Sequence, residues 1–211
     1  MDSSVADVSR ETFERIVKSE AENLGLALPE NFCENGCLYL KEMLSWNRTH
    51  NLTTITDFRE AVLLHFVDSL VPATVEGLFF DGSAVLDVGT GGGFPGVPLA
   101  LVFPKSSFTL LDKARKKISF INLSSASLGI DNVNGICENL FAHSKRYDLI
   151  VSRAVKIDAE LFDCCKTLLR KNGHLCFWFS SNQEPFQDDS LKEVRSYKLG
   201  EIERKIAVYQ V

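Results

Sequence analysis

The sequence lacks the markers of several large protein classes. No apolar run approaches the roughly 20 residues that a membrane-spanning helix needs, and the first residues lack the basic and apolar regions of a secretory signal. The six cysteines form no Cys-x-x-Cys pair and have no histidines at zinc-ligand spacing, so we expect free thiols and no metal site. These absences favour a soluble globular protein, which we expect to be cytoplasmic and monomeric.

The charge along the chain is uneven, although the net charge is only −5. Residues 1–34 carry eight acidic and three basic side chains, whereas residues 105–171 carry twelve basic and seven acidic ones. The basic segment suits a polyanion such as a nucleic acid, and the alternative is a solvated surface without a partner. The length of 211 residues and a hydrophobic content of 45% suit one domain of ordinary size.

The first part of the chain has the apolar spacing of helices. Apolar residues recur at helical intervals over 9–24, 29–47 and 57–70, and Asp57 with Glu60 three residues later matches a capping box. We therefore expect residues 1–78 to form a helical extension that packs on a core formed by residues 79–211.

From residue 83 onward, short apolar strands alternate with helical segments. This alternation predicts a doubly wound α/β fold with a mostly parallel sheet covered on both faces. The end of the chain alternates apolar and polar residues twice, which predicts an antiparallel hairpin at one edge of the sheet. The predicted strands are 84–88, 107–111, 132–136, 147–151, 174–179, 194–199 and 205–211.

The first predicted strand runs into a turn with four glycines within five residues, beginning at Gly89. Glycine has no Cβ, so a ligand can lie directly against the backbone. The pattern Gly91-x-Gly93-x-x-Gly96 also fits a dinucleotide fingerprint. Asp87 lies in the strand just before the turn and favours a positively charged sulfonium ligand over a pyrophosphate.

Three more strand ends carry polar side chains, and the ligand of an open α/β sheet lies at such ends. Asp112 follows the second strand at the distance expected of an acid that binds ribose hydroxyls, and its alternative role is to cap the next helix. Glu138 follows the third strand, with a plain surface residue as the alternative. Arg153 follows the fourth strand and suits a carboxylate or a phosphate, with a surface salt bridge as the alternative.

Several motifs in combination resemble the glucose-inhibited division protein B family over about residues 47–180. The resemblance implies a Rossmann-like class I methyltransferase with a seven-stranded sheet. Members of that family use S-adenosyl-L-methionine to methylate N7 of one guanine in bacterial 16S ribosomal RNA. The resemblance therefore implies a substrate that is either free RNA or the small ribosomal subunit. The motifs are Asn51-Leu-Thr-Thr54, His65-Phe-Val-Asp-Ser-Leu70, Asp87-Val-Gly-Thr-Gly-Gly-Gly-Phe-Pro-Gly96, Leu111-Asp112 with Lys116-Lys117, and Ser152-Arg153-Ala154.

The strand ends and the resemblance together give the candidate site residues. Guanine N7 has a lone pair and no proton, so the reaction needs alignment and we expect no acid–base catalyst. His65 and Asp68 lie three apart on a predicted helix and could face the substrate. Cofactor contacts are expected from Gly89, Gly91, Phe94, Asp112, Cys137, Glu138 and Arg153. Phosphate contacts to RNA, or else a solvated helix face, are expected of Lys113, Arg115, Lys116 and Lys117.

Two departures from the family pattern leave an alternative function open. Ile136-Cys137-Glu138 stands where members often have Arg-Ala-Glu, and Phe179-Ser180 stands where they usually have Lys-Gly. The alternative is an RNA- or nucleotide-binding regulatory module that keeps the methyltransferase fold without catalysis.

Overall fold

A seven-stranded sheet forms the centre of the protein in the computed structural model, which describes residues 3–153 and 155–211. The strands are β1 (Ala84–Val88), β2 (Ser107–Asp112), β3 (Val133–Cys137), β4 (Tyr147–Ser152), β5 (Leu169–Ser180), β6 (Leu191–Leu199) and β7 (Ile202–Gln210). Their order is β3-β2-β1-β4-β5-β7-β6; β1 to β5 are parallel, and β7 pairs antiparallel with β5 and β6. The predicted α/β class and the antiparallel hairpin are both confirmed.

The helices surround this sheet. They are α1 (Ser3–Asn23), α2 (Phe32–His50), α3 (Phe58–Ala61), α4 (Asp68–Leu70), α5 (Gly96–Val102), α6 (Arg115–Ser127) and α7 (Ala159–Thr167). A π-helical segment, Val62–Val67, joins α3 to α4, and 3-10 turns occupy Val71–Thr74 and Leu140–Ala142. Among the described residues, no helix combines the length and the apolar character that a membrane span requires.

The predicted helix over 57–70 begins as expected but is not regular. Asp57 Oδ1 accepts a hydrogen bond of 2.9 Å from the Glu60 backbone N, so the predicted cap is present. The π-helical segment then interrupts the α-helix at Val62. Periodicity does not distinguish a π-helical insertion from a continuous α-helix, because both keep the same side chains near one face over a single turn.

Two apolar clusters cover the two faces of the sheet, because successive side chains of a strand point in opposite directions. Val85 of β1 belongs to the cluster that contains the N-terminal helices, whereas Leu86 belongs to the cluster that contains α7. In the first cluster, the rings of Phe13 and Phe66 meet edge to face with centroids 4.9 Å apart. The helices that precede the sheet therefore share its main apolar core.

The strand order creates a crevice next to β1. From β1 the chain goes to β2 and β3 on one side of the sheet, and then to β4 and β5 on the other. The connections that leave the carboxyl ends of β1 and β4 consequently diverge, and such a switch point is where open α/β sheets bind ligands.

Candidate active site

The glycine turn after β1 requires residues without a side chain. Gly89, Gly91 and Gly93 have φ angles of 72°, 61° and 96°, in the left-handed region that favours glycine. A Cβ at Gly89 would lie 2.4 Å from Val155 Cγ2, and one at Gly93 would lie 2.2 Å from Tyr39 Oη. The turn therefore combines positive φ angles with close packing beneath it.

Asp87 holds this turn from below. Its Oδ2 accepts hydrogen bonds from Thr90 Oγ1 at 2.6 Å and from the Gly96 backbone N at 2.9 Å. The side chain is fully buried, and among the described residues Oδ1 has no hydrogen-bond partner. Burial raises the pKa of this carboxyl to about 6. The expectation that Asp87 selects a cationic ligand by facing it is not supported, because the carboxyl lies under the turn and lines neither cavity described below.

Two cavities lie at the carboxyl ends of the strands and meet at Gly89. The larger cavity, of about 700 Å³, lies between the glycine turn, loop 51–55 and the π-helical segment. The smaller cavity, of about 240 Å³, lies between the ends of β1, β2 and β3 and the 3-10 turn Leu140–Ala142. Because Gly89 lines both, one extended ligand can pass from the smaller cavity into the larger one.

A buried charge cluster forms one wall of the larger cavity. Asp68 is fully buried, and its Oδ2 lies 2.7 Å from Arg153 Nη1 and 3.5 Å from Arg204 Nη1. Its Oδ1 accepts a hydrogen bond of 2.5 Å from the hydroxyl of Tyr197. Arg153 also donates from Nη1 to the Leu64 carbonyl at 2.9 Å. The alternative of a surface salt bridge for Arg153 is therefore wrong, since its partner is buried and the pair borders a cavity.

His65 lies beside this cluster and lines the larger cavity. Its ring stacks on Phe94 with centroids 4.5 Å apart and an angle of 14° between the planes, and its Nε2 lies 3.0 Å from Thr53 Oγ1. Burial, together with repulsion from Arg153 and Arg204, lowers the pKa of His65 to about 3. The imidazole is therefore uncharged at neutral pH.

Asp112 connects the smaller cavity to the glycine turn. Its Oδ2 accepts a hydrogen bond of 3.1 Å from the Gly91 backbone N and lies 3.4 Å from Lys117 Nζ. Its Oδ1 accepts a hydrogen bond of 2.8 Å from the Ala114 backbone N. Asp112 is not the residue that caps α6, because Ala114 occupies that position.

The two candidates after β3 have different positions. Glu138 lines the smaller cavity and makes a hydrogen bond with His143. Cys137 is exposed, lies outside the linings of both cavities, and has its Sγ 3.5 Å from the Lys113 carbonyl oxygen. The expected contact from the Cys137 side chain is therefore not supported, since neighbouring side chains at a strand end point in different directions.

The four basic candidate residues also differ in their positions relative to the two cavities. Lys113 lines the smaller cavity and Lys117 lines the larger one. Arg115 and Lys116 are exposed at the beginning of α6 and line neither cavity. They are therefore free to contact a ligand that extends over the rim.

Several residues of the site were not predicted from the sequence. Arg204 and Tyr197 reach Asp68 from the C-terminal hairpin, and no local pattern marks a strand residue as part of a distant site. Thr53 could have been predicted, because it belongs to the motif Asn51-Leu-Thr-Thr54. Ala154 of the motif Ser152-Arg153-Ala154 lies outside the described residues.

Comparison with known proteins gives the family. Residues 33–198 match the family described as GidB, rRNA small subunit methyltransferase G. A relative from Psychrobacter cryohalolentis, named Ribosomal RNA small subunit methyltransferase G, is 37% identical over 165 residues, covering 78% of this chain and 68% of the relative. A relative of the same name from Hydrogenovibrio crunogenus is 35% identical over 178 residues, covering 82% of this chain and 79% of the relative.

A solved structure supports the fold independently. The structure of a SAM dependent methyltransferase from Aquifex aeolicus matches with a TM-score of 0.57 at 17% identity, covering 72% of this chain and 93% of that one. The resemblance that the motifs indicated is thus confirmed: the chain belongs to the rRNA small subunit methyltransferase G family.

Proposed function

We propose that this protein transfers the methyl group of S-adenosyl-L-methionine to N7 of a guanine in bacterial 16S ribosomal RNA. The observation that carries the proposal is the meeting of the two cavities at Gly89, which gives one extended ligand a path between them. The larger cavity, at about 700 Å³, leaves volume for a nucleobase beside the methionine end of such a ligand. Membership of the family supports the RNA substrate.

The residues present fit the methyl donor. Gly89 has no side chain and lines both cavities where they join, so the middle of the ligand would lie against its main chain. Asp112 would hold the ribose, and Glu138 with its neighbours would border the adenine. Gly91 and Phe94 would shape the methionine side of the site.

Arg153 would hold the carboxylate of the methionine end. Within the part of the chain that the structure describes, its hydrogen bonds to Leu64 and Asp68 both use Nη1, which leaves the other donors of the guanidinium for a ligand. Because Asp68 holds this side chain inside the wall of the cavity, its position is fixed before the ligand binds.

The reaction requires the protein to align guanine N7 with the methyl group of the donor. S-adenosyl-L-methionine supplies an electrophilic methyl group, and guanine N7 attacks it without losing a proton. The walls of the larger cavity therefore need to hold the base in line and exclude water. His65 suits this task, because an uncharged imidazole stacked on Phe94 does not repel either the cationic donor or the cationic 7-methylguanine product.

The basic residues near α6 would contact the RNA backbone. Arg115 and Lys116 are exposed, and Lys113 and Lys117 line the cavities next to them. Phosphate contacts of this kind add affinity without reading sequence, and they weaken as the salt concentration rises.

Methyl transfer to small ribosomal subunits tests the function. Recombinant protein should transfer a labelled methyl group to subunits, or to their isolated RNA, from cells that lack the modification. Nucleoside mass spectrometry should then detect 7-methylguanosine. If another nucleoside is labelled, the proposed acceptor is wrong. If the protein binds S-adenosylmethionine and RNA but transfers nothing, the regulatory module without catalysis is correct.

A double substitution tests the RNA surface. Arg115→Ala with Lys116→Ala should raise the KM for RNA and reduce the salt dependence of RNA binding, while the Kd for the methyl donor stays unchanged. Lys171→Ala is the matched control, because Lys171 is exposed near the start of β5, away from the carboxyl ends of the strands. An equal effect of both changes on RNA binding would contradict this assignment.

A further inference from the structure

Three side chains behind the smaller cavity form a chain of hydrogen bonds that the proposed mechanism does not use. His143 Nδ1 lies 2.6 Å from Glu138 Oε2, and His143 Nε2 lies 2.8 Å from the hydroxyl oxygen of Tyr147. The imidazole therefore connects a carboxylate that lines the cavity with a phenol of the protein core.

Burial increases along this chain from the cavity inwards. The side chain of Glu138 is 37% exposed, that of His143 is 7% exposed, and Tyr147 is fully buried. The ring of His143 stacks on that of Tyr147 with centroids 5.7 Å apart, and its backbone N donates to the Leu140 carbonyl at 3.0 Å. The orientation of the Glu138 carboxylate is thus fixed from the interior of the protein.

The direction of the hydrogen bonds follows from the groups themselves. An ionised carboxylate can only accept, so the proton between Glu138 and His143 belongs to Nδ1. When the imidazole is neutral, Nε2 has the lone pair and accepts from the hydroxyl of Tyr147. Glu138 consequently presents an acceptor, and no donor, to the smaller cavity.

Besides Glu138, the polar side chains that line the smaller cavity are those of Asp112, Lys113 and Asn139. Its other carboxylate, Asp112, lies at the end of β2 and is bonded to the glycine turn, whereas Glu138 lies one strand further out, after β3. Most of the remaining wall is apolar, including the exposed ring of Phe141. Adenosine has two kinds of donor, the ribose hydroxyls and the 6-amino group of adenine. With the ribose at Asp112, the adenine amino group would be the donor left for Glu138.

We propose that His143, anchored by Tyr147, is a positioning residue that fixes the Glu138 carboxylate as the acceptor for the adenine amino group. This makes the smaller cavity selective for adenosine over a 6-oxopurine nucleoside, which would present a carbonyl oxygen to the carboxylate. The inference rests on the proposed cofactor site.

Binding of two ligands by calorimetry tests the inference. The wild-type protein should bind S-adenosylhomocysteine about 100-fold more tightly than S-inosylhomocysteine, because the 6-oxo group of the latter would place an acceptor against the Glu138 acceptor. His143→Leu should reduce this ratio about tenfold or more, mainly by weakening the adenosine ligand. His143→Asn, which restores a donor near the position of Nδ1, should recover most of it.

Glu138→Gln gives a second test that does not disturb the buried residues. Its amide can accept from His143 and donate to a 6-oxo group, so selectivity should shift towards S-inosylhomocysteine. His174→Leu is the control, since His174 is half-buried on β5 and lines neither cavity.

The outcomes separate this inference from the proposed function. If the wild-type protein binds neither ligand, the cofactor site itself is wrong and the inference falls with it. If it binds S-adenosylhomocysteine and folded His143→Leu keeps the wild-type ratio, the positioning role alone is overturned. If His143→Leu weakens the binding of both ligands by the same factor, the positioning role is also overturned. A merely structural defect would lower both affinities and leave their ratio unchanged.

Discussion

Replacing Asp68 with alanine should strongly destabilise the fold, because it leaves the guanidinium of Arg153 buried without its counter-charge. Arg153 is only 8% exposed, and its Nη1 lies 2.7 Å from Asp68 Oδ2. Breaking a buried ion pair by removing one partner costs about 3 to 5 kcal/mol. The hydroxyl of Tyr197 loses its acceptor in the same change, which adds to the penalty.

The effect is measurable by thermal and urea unfolding. For a protein of this size, 1 kcal/mol corresponds to about 2 to 4 °C, so the melting temperature should fall by about 6 to 20 °C. Tryptophan fluorescence is a suitable signal, because Trp178 Nε1 donates to the Asp68 backbone carbonyl at 3.3 Å.

Two further variants separate the buried pair from general damage. Asp81→Ala removes an ion pair with Lys105 whose side chains are 75% and 73% exposed, and it should leave stability unchanged within error. Asp68→Ala combined with Arg153→Met should be more stable than Asp68→Ala alone, since the uncompensated charge is then absent. A loss below about 1 kcal/mol for Asp68→Ala would refute the reasoning, because substitutions outside such networks already reach that size.

Three other changes test the glycine turn. Gly89→Ala should weaken S-adenosylhomocysteine binding at least about tenfold in calorimetry, since its Cβ would meet Val155 Cγ2 at 2.4 Å and φ is 72°; wild-type affinity would show that the turn tolerates a side chain. Tyr39→Phe removes the hydrogen bond of 3.0 Å to the Gly92 carbonyl and should lower the free energy of unfolding by about 1 kcal/mol in urea titration, with an unchanged midpoint as the contrary result. The pKa of Asp87 is raised from 3.8 to about 6, so the stability that its protonated form gives is complete below pH 3.8 and is lost as the pH rises through 6. Asp87→Asn cannot ionise, so its stability relative to the wild type should increase by about 3 kcal/mol between acidic and neutral pH; a constant difference across this range would contradict a raised pKa.

Short sequence patterns predicted the parts of the fold that depend on residues close together in the chain. The capping of the third helix follows from Asp57 and Glu60, and both residues behave as their spacing predicts. β1 is buried along its whole length, in agreement with its apolar run, which Asp87 interrupts. In contrast, the π-helical segment after α3 depends on packing against the sheet and the N-terminal helices, which no window of sequence contains.

The candidate site was predicted less completely than the fold. Reasoning from sequence selected Arg153 and Asp68 separately, but not the ion pair between them or the contribution of Arg204. From the sequence, the charge of Asp87 favours a cationic ligand, whereas in the folded protein the carboxyl holds the turn from below. Which way a side chain points at a strand end, and what it meets there, depends on elements far away in the chain.

The sequence by itself determined the α/β class, the hairpin and the glycine turn, because each follows from residue type and spacing within short segments, and its motifs carried the resemblance to the family. Only the tertiary structure decided that two cavities meet at the turn, that Asp68 and Arg153 are a buried pair, and that the pKa of His65 is lowered. These properties depend on burial and on charges that converge from distant parts of the chain. The same holds for the chain from Tyr147 through His143 to Glu138, whose hydrogen bonds only the folded arrangement reveals.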